Sequence, residues 1–157
     1  MPAAEARGIP APVTLTGDPA TVDAIAALEA ASFSTPWSKD AFKASFDNEF
    51  VEISGIYEDG ELVAYAVLFT LFETSDLQDI AVREDLRGKE YGKALLSDCV
   101  ARAAARGADR VCLEVREGNA PARALYEHNG FRQFGRRKNY YAYPPEDALL
   151  YQRILKE

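Results

Sequence analysis

The fold is decided by residues 77–115, LQDIAVREDLRGKEYGKALLSDCVARAAARGADRVCLEV. The short apolar run Leu77–Val82 predicts a strand. Apolar residues then recur at helical spacing over 95–103, and Gly107 is typical of the residue that ends a helix. The nearly continuous apolar run in 109–115 is typical of a strand in the parallel part of a sheet. A strand, a helix and a second strand in this order predict a right-handed βαβ unit.

The rest of the chain supplies the other elements of a mixed α/β protein. Upstream, a short strand and two helical stretches precede a hairpin whose turn is Asp59-Gly60. Downstream, a short helix between Asn119 and Gly130 precedes two last strands, at about 131–141 and 148–155. The predicted order is βααβββαβαββ, a single mixed central sheet flanked by helices. We expect one domain over residues 13–157, after a flexible leader over residues 1–12.

Composition excludes several classes of function. The chain has 25 acidic and 18 basic residues, a formal net charge of −7, which argues against a nucleic-acid surface and permits a cationic substrate. No apolar run is long enough to cross a bilayer and no secretory signal is present, so a cytoplasmic location is expected. Cys99 and Cys112 have no neighbouring metal-ligand pattern, which predicts reduced thiols and no metal site. Composition leaves the oligomeric state open.

The loop before the central helix, RGKEYG at residues 87–92, follows an R-x-x-G-x-G design except that Glu90 stands at the first glycine position. It is not a Walker loop, because its glycines are one residue too close and Ala94 stands where a magnesium-binding hydroxyl is required. Backbone N–H groups at a helix amino terminus can hold an anion such as pyrophosphate, and Arg87, Lys89 and Lys93 would add positive charge. The alternative is a basic surface turn that leads into an ordinary helix.

Two segments carry a family resemblance. LQDIAVREDLRGKEYGKALL (77–96) and LEVREGNAPARALYEHNGF (113–131) resemble the acetyl-CoA-binding core of the GCN5-related N-acetyltransferases (GNAT). FSTPWS (33–38) and RRKNYY (136–141) are similar to the bacterial branch that acetylates the N-terminal alanine of a small-subunit ribosomal protein. The resemblance covers nearly the whole chain. It implies the GNAT fold, acetyl-CoA as co-substrate without a metal, and a basic N-terminal peptide of a ribosomal protein as partner, with no direct binding to nucleic acid or membrane.

The resemblance also implies a set of cofactor-binding residues. In the family, strand backbone groups contact the pantetheine arm, and the loop and a later helix start contact the rest of the cofactor. The corresponding residues here are Ile80, Ala81, Val82, Arg87, Gly88, Lys89, Glu90, Tyr91, Gly92, Lys93 and Asn119. Two positions depart from the family pattern: Glu90 replaces the first loop glycine, and Asp79 replaces the usual asparagine of the strand.

Two residues are candidates for acid–base chemistry. Glu114 interrupts an apolar strand, where packing gives no reason for a charge, and by resemblance it is the general base that deprotonates the amine through water. Tyr126 is by resemblance the general acid for the departing thiolate. The alternatives are an ion pair of Glu114 with Arg116 or Arg110, and a core aromatic role for Tyr126.

Trp37, Tyr140 and Tyr141 are candidates for the peptide groove, although packing of a loop on the sheet explains each of them equally well. The sequence therefore predicts an N-terminal protein acetyltransferase that works by direct transfer, with no acetyl-cysteine intermediate. One alternative is a GNAT enzyme that acts on a small amine or a lysine side chain. The other is a non-catalytic acetyl-CoA-binding domain, weakened by Glu90.

Overall fold

The computed structural model describes residues 8–156. Within that range the strands β1 to β7 are Val13–Thr14, Val51–Glu58, Glu61–Leu71, Thr74–Val82, Arg110–Arg116, Arg132–Ala142 and Pro145–Ile154. The helices α1 to α4 are Pro19–Ser32, Lys39–Phe46, Tyr91–Ala105 and Ala120–His128. A single 3-10 turn, Glu84–Leu86, lies between β4 and α3. The predicted order of elements is confirmed, and β4 and β7 begin three residues earlier than their patterns indicated.

Local sequence signals account for the element ends. Asp18 caps α1 by accepting a hydrogen bond from the Thr21 amide at 2.9 Å, and Pro19 follows as the first helical residue. Ser38 caps α2 in the same way, with the Ala41 amide 3.1 Å from its hydroxyl. These caps fix where the two helices of one layer begin.

The strands form one seven-stranded sheet in the order β1-β2-β3-β4-β5-β7-β6. The pair β4–β5 is parallel, as the βαβ pattern predicts, and the other neighbouring pairs are antiparallel. The parallel ladder of the described chain joins Thr74–Asp76 to Arg110–Cys112. Just beyond it the pairing of β4 with β3 shifts by one residue at Gln78, which forms a bulge. Because the ladder stops there, β4 and β5 separate and leave a gap in the sheet.

Helices cover the two faces of the sheet unequally. On one face, α3 and α4 pack over a core that includes the fully buried Leu95 and Leu96. On the other face, α1 and α2 cover the first four strands through Ile25, Phe42 and Tyr65, each 0% exposed. Alternate residues of β5 point away from the α3 core toward this second face, beyond the area that α1 and α2 cover. The gap and this open part of β5 together position the site.

The predicted leader falls partly outside the described residues. Residues 1–7 of this leader lie outside the described range. Ile9 is 5% exposed and joins the core on the α3 side, so packing extends upstream of the predicted domain start at Val13. Among the helices of residues 8–156, none is long and apolar enough to cross a membrane.

Candidate active site

A continuous cleft of about 1550 Å³ follows the gap between β4 and β5. It exceeds the range of about 300–1,000 Å³ that is typical of a pocket for one small ligand, so it has room for two substrates. The cleft brings together most of the predicted site residues, which are Trp37, Ile80, Ala81, Val82, Arg87, Gly88, Glu90, Gly92, Lys93, Glu114, Asn119, Tyr126, Tyr140 and Tyr141. Lys89 and Tyr91 are the predicted residues that do not line it.

The loop before α3 has the geometry of an anion site. Glu90 is the N-cap of α3 and adopts a left-handed conformation, with φ 73° and ψ 10°. The first helical bond closes from the Ala94 amide to the Glu90 carbonyl at 3.1 Å, so the amides of residues 91–93 have no acceptor within the helix. Such amides, with the helix dipole and the exposed Lys93, suit a pyrophosphate. Tyr91 contributes its backbone only, since its buried hydroxyl donates to Glu58 Oε1 at 2.8 Å.

Gly92 has a packing role in this loop. A Cβ added there would lie 3.1 Å from Leu125 Cδ2, so the glycine allows α3 to approach α4 closely. Arg87, which is expected to add charge near the anion, lines the cleft and also has a structural role. Its guanidinium donates to the Val82 carbonyl at 3.0 Å and to Ser32 Oγ at 3.3 Å, which ties the end of β4 to the end of α1.

Glu114 lies on the open face of β5, with its side chain 36% exposed. Its ion-pair partner is Arg137, whose Nε is 4.0 Å from Glu114 Oε2. The ion pairs considered with Arg116 and Arg110 are not formed: Arg116 pairs with Glu146, and Arg110 donates to a threonine hydroxyl. Both arginines are drawn to acceptors at the strand ends, and Glu114 is left facing the cleft.

The charge of Glu114 affects three neighbouring groups in the cleft. Its charge, with some burial, raises the pKa of the Tyr140 phenol. Burial first, and then the Glu114 charge, raise the pKa values of Asp76 and Tyr141. The phenols therefore keep their protons at neutral pH, and the carboxyl groups in this part of the cleft lie beside two arginines, Arg116 and Arg137.

Tyr126 is a core aromatic residue whose position also makes it part of the cleft wall. It is 5% exposed and its ring packs beside Phe131 and Tyr151, with centroids 5.9 and 6.3 Å away. It also lines the cleft. Burial raises the pKa of its phenol, so Tyr126 holds its proton and is suited to act as a hydrogen-bond or proton donor. Asn119, on the same side, caps α4 by accepting from the Ala122 amide at 3.2 Å.

The loop between α1 and α2 and the β6–β7 hairpin meet over the mouth of the cleft. Ser34 Oγ donates to the Tyr143 carbonyl at 3.2 Å. Arg116, which sequence reasoning did not select, donates to the Tyr143 and Pro144 carbonyls at 3.0 and 2.9 Å. The guanidinium also lies 4.1 Å from the ring centroid of Tyr141. Tyr140 is 53% exposed at this mouth, so the hairpin presents its aromatic residues to the cleft.

Sequence reasoning also missed a buried acid cluster, which consists of Glu29, Tyr65 and Asp79. The Tyr65 hydroxyl donates to Glu29 Oε1 and lies 3.2 Å from Asp79 Oδ2. Burial, and then the neighbouring Glu29, raise the pKa of Asp79 to about 9. The available signal was Glu29 itself, an acid four residues after Ile25 on the apolar stripe of α1.

Comparisons with known proteins agree with this geometry. Residues 22–131 match the model of the acetyltransferase (GNAT) family. The ribosomal protein bS18-alanine N-acetyltransferase of Escherichia coli (strain K12) is 32% identical over 125 residues, which are 78% of this chain and 84% of that protein. The crystal structure of the ribosomal-protein-S18-alanine N-acetyltransferase from Escherichia coli has a TM-score of 0.83 at 28% identity, over 93% of this chain and 95% of that one. The fold is also that of a GNAT family acetyltransferase from Elizabethkingia anophelis with acetyl-CoA bound, with a TM-score of 0.76 at 23% identity over 92% of this chain and 97% of that one.

Proposed function

The chain belongs to the acetyltransferase (GNAT) family, and from that premise we propose that it acetylates the α-amine of the N-terminal alanine of a small-subunit ribosomal protein. The observation that carries this proposal is the single cleft in which an anion-binding loop, a gap between two strands and a mouth with Glu114 are continuous. The similarity to ribosomal-protein-alanine N-acetyltransferases over most of the chain supports the same substrate class.

Acetyl-CoA supplies the activated acetyl group as a thioester. The amides of residues 88–93, with Lys93, would hold its pyrophosphate at the start of α3. The backbone of Ile80–Val82, which faces the gap, would bind the pantetheine arm as a neighbouring strand does. The residues present fit the co-substrate, because these donors and the gap lie in one cleft.

Transfer requires a neutral amine, and an N-terminal α-amine has an ordinary pKa near 8. Glu114 is exposed to the cleft and accepts the amine proton, through a water molecule, as the amine attacks the thioester carbonyl. Tyr126 donates its proton to the departing thiolate from the other side of the gap. Cys112 is half-buried and has a raised pKa because of burial and the neighbouring Asp76, so it does not act as a nucleophile.

The mouth of the cleft favours the end of a polypeptide chain over a small amine as the acetyl acceptor. The contact between Ser34 and the Tyr143 carbonyl bridges it, so an acceptor enters beneath two meeting loops. Exposed aromatic side chains at the rim, Phe33, Phe134 and Tyr140, offer surface for the residues that follow the amine. The carboxyl groups of Glu114 and Asp76, which line this part of the cleft, suit basic residues of that peptide.

A peptide panel tests the proposal, with thiol release as the readout. We expect turnover on a basic peptide that begins with alanine. The same peptide with a blocked amino terminus keeps its lysines and should not react, which separates α-amine from lysine acetylation. Spermine serves as the small amine. Turnover on the blocked peptide or on spermine, without turnover on the free peptide, would refute the proposed substrate.

A further inference from the structure

The acid cluster of Glu29, Tyr65 and Asp79 has no part in the transfer described above, yet Glu29 and Asp79 line the cleft on its peptide side. We propose that Glu29 is a positioning residue that sets the α1–α2 wall of the peptide groove, and that a proton shared between Glu29 and Asp79 through the Tyr65 hydroxyl holds that wall in place. The part of this proposal that concerns peptide binding rests on the proposed function.

Four residues form a closed ring of contacts around this wall. Glu29 Oε2 accepts from the Trp37 amide at 2.8 Å. The Trp37 ring packs on Phe42 with centroids 5.3 Å apart, and Phe42 meets the edge of Tyr65 at 5.9 Å. The Tyr65 hydroxyl then returns to Glu29 Oε1. Because the ring is closed, the backbone of the loop cannot shift without disturbing the Glu29 carboxylate.

The acid cluster holds one more proton than it would if Glu29 and Asp79 were both ionised. Glu29 is 1% exposed, and the titratable groups that face Asp79 are Glu29 from α1, Tyr65 from β3 and Tyr126 from α4. None of these is a cation, so two ionised carboxylates would repel each other in a poorly solvated site. The single proton of the Tyr65 hydroxyl is donated to Glu29. A proton on Asp79 therefore completes the 3.2 Å contact between Asp79 Oδ2 and that hydroxyl.

Loss of the Asp79 proton affects the peptide groove, because Glu29 contacts both Asp79's neighbour Tyr65 and the Trp37 amide. The pKa of Asp79, raised to about 9, places the loss in mildly alkaline solution. A second anion then repels Glu29, and Glu29 holds the Trp37 amide. The loop also contacts the β6–β7 hairpin through Ser34, so both sides of the mouth are affected.

Trp37 provides a direct readout, because it is the only tryptophan in the chain. Its fluorescence is followed without substrates from about pH 6 to about pH 9.5, below the ordinary tyrosine pKa of about 10. We expect an alkaline red shift in the parent protein and none in Asp79→Asn. Asp59→Asn, in the exposed β2–β3 turn, is the matched control and should keep the parent's transition. A parent without the transition, or an Asp79→Asn variant that retains it, overturns the proposal.

Kinetics separate positioning from a purely structural role. Glu29→Gln keeps the size of the side chain but has one acceptor oxygen, whereas the two oxygens of Glu29 accept separately from the Trp37 amide and the Tyr65 hydroxyl. We expect the KM for the alanine peptide to rise about three- to tenfold, with kcat and the KM for acetyl-CoA within about twofold of the parent. An unchanged peptide KM together with parent-like Trp37 emission would contradict the proposal.

Tyr65→Phe gives a second route if glutamine at position 29 impairs folding, which circular dichroism would show. This variant keeps the ring against Phe42 and removes only the bridging hydroxyl, so the peptide KM should rise in the same direction. If the parent turns over no alanine peptide at all, the proposed function fails, whereas the fluorescence titration still decides whether the shared proton holds the loop.

Discussion

Glu90 occupies a backbone conformation that side chains disfavour. Its φ of 73° places it in the left-handed region, which costs an L-residue with a Cβ roughly 1–2 kcal/mol. The sequence indicated only that a side chain here could hinder the approach of a pyrophosphate. The structure adds a conformational cost, which explains why a glycine is suited to this position independently of any ligand.

Replacement of Glu90 by glycine should therefore raise stability and acetyl-CoA affinity together. We expect the free energy of unfolding to increase by about 1 kcal/mol in Glu90→Gly, because the left-handed strain is relieved. Denaturant titration measures the first effect and calorimetric titration with acetyl-CoA the second. Asp59→Gly is the matched control, since Asp59 has a φ of 51° in a turn outside the cleft. Asp59→Gly should gain stability without a change in acetyl-CoA affinity. A weaker acetyl-CoA complex in Glu90→Gly would refute this account.

The proposed role of Glu114 as general base is tested by its replacement with glutamine. Glu114→Gln should lower kcat on the alanine peptide by about 10²–10⁴-fold, the usual contribution of a general base, while the acetyl-CoA affinity changes little. Asp76→Asn removes a neighbouring carboxyl of the same cleft and should have a much smaller effect on kcat. Equal kcat values for Glu114→Gln and the parent would exclude Glu114 as the base.

Among single residues, the sequence is informative about those whose hydrogen-bond partners lie within a few positions along the chain. The caps Asp18, Ser38 and Asn119 follow short-range hydrogen-bonding rules, since each side chain accepts from the amide three residues further along the chain. Glu29 and Arg116 were missed because their partners lie 36 and 28 residues away, at Tyr65 and in the β6–β7 hairpin. No local pattern reports such a distance.

Among the elements, the β6–β7 hairpin depends on Arg116. This guanidinium binds two hairpin carbonyls and Glu146 and lies on the Tyr141 ring, an arrangement that requires a planar fork of donors. Arg116→Lys should loosen the hairpin, so faster limited proteolysis within it and a severalfold higher peptide KM are expected. Arg153→Lys is the control, because Arg153 also anchors β7 to a backbone carbonyl, that of Asn129, but does not itself line the cleft. Parent-like proteolysis and peptide KM in Arg116→Lys would show that the hairpin does not need this anchor.

The sequence predicted which strands exist better than it predicted their neighbours. The adjacency of β4 and β5 follows from the βαβ pattern, whereas either strand of the last hairpin could have paired with β5. Burial decides between them: β7 carries the buried Ala148, Leu149 and Tyr151, whereas most of β6 is exposed. The apolar run ALLY suits β7 to the inner position, and the arginine-rich β6 is suited to an edge.

For the whole molecule, Asp79 makes stability depend on pH. Its pKa is about 9 in the folded state and near 3.9 when unfolded, so the folded protein binds more protons between these values. Stability is then lost as the pH rises through this range. Asp79→Asn removes the titration, and its gain in Tm over the parent should grow from about pH 5 to about pH 9. A gain that is constant with pH would contradict the assignment, as would the same trend in Asp59→Asn.

The three residue pairs that join β4 to β5 divide the sheet into two stiff leaves around a hinge. On either side, the antiparallel ladders β2–β3, β3–β4 and β5–β7 each run for at least seven residue pairs. One leaf carries the anion-binding loop, and the other carries Glu114 and the hairpin. A rotation about the hinge changes the distance between acetyl donor and acceptor without breaking a long ladder. A ligand that spans both leaves would add contacts across this short ladder and should stiffen the sheet.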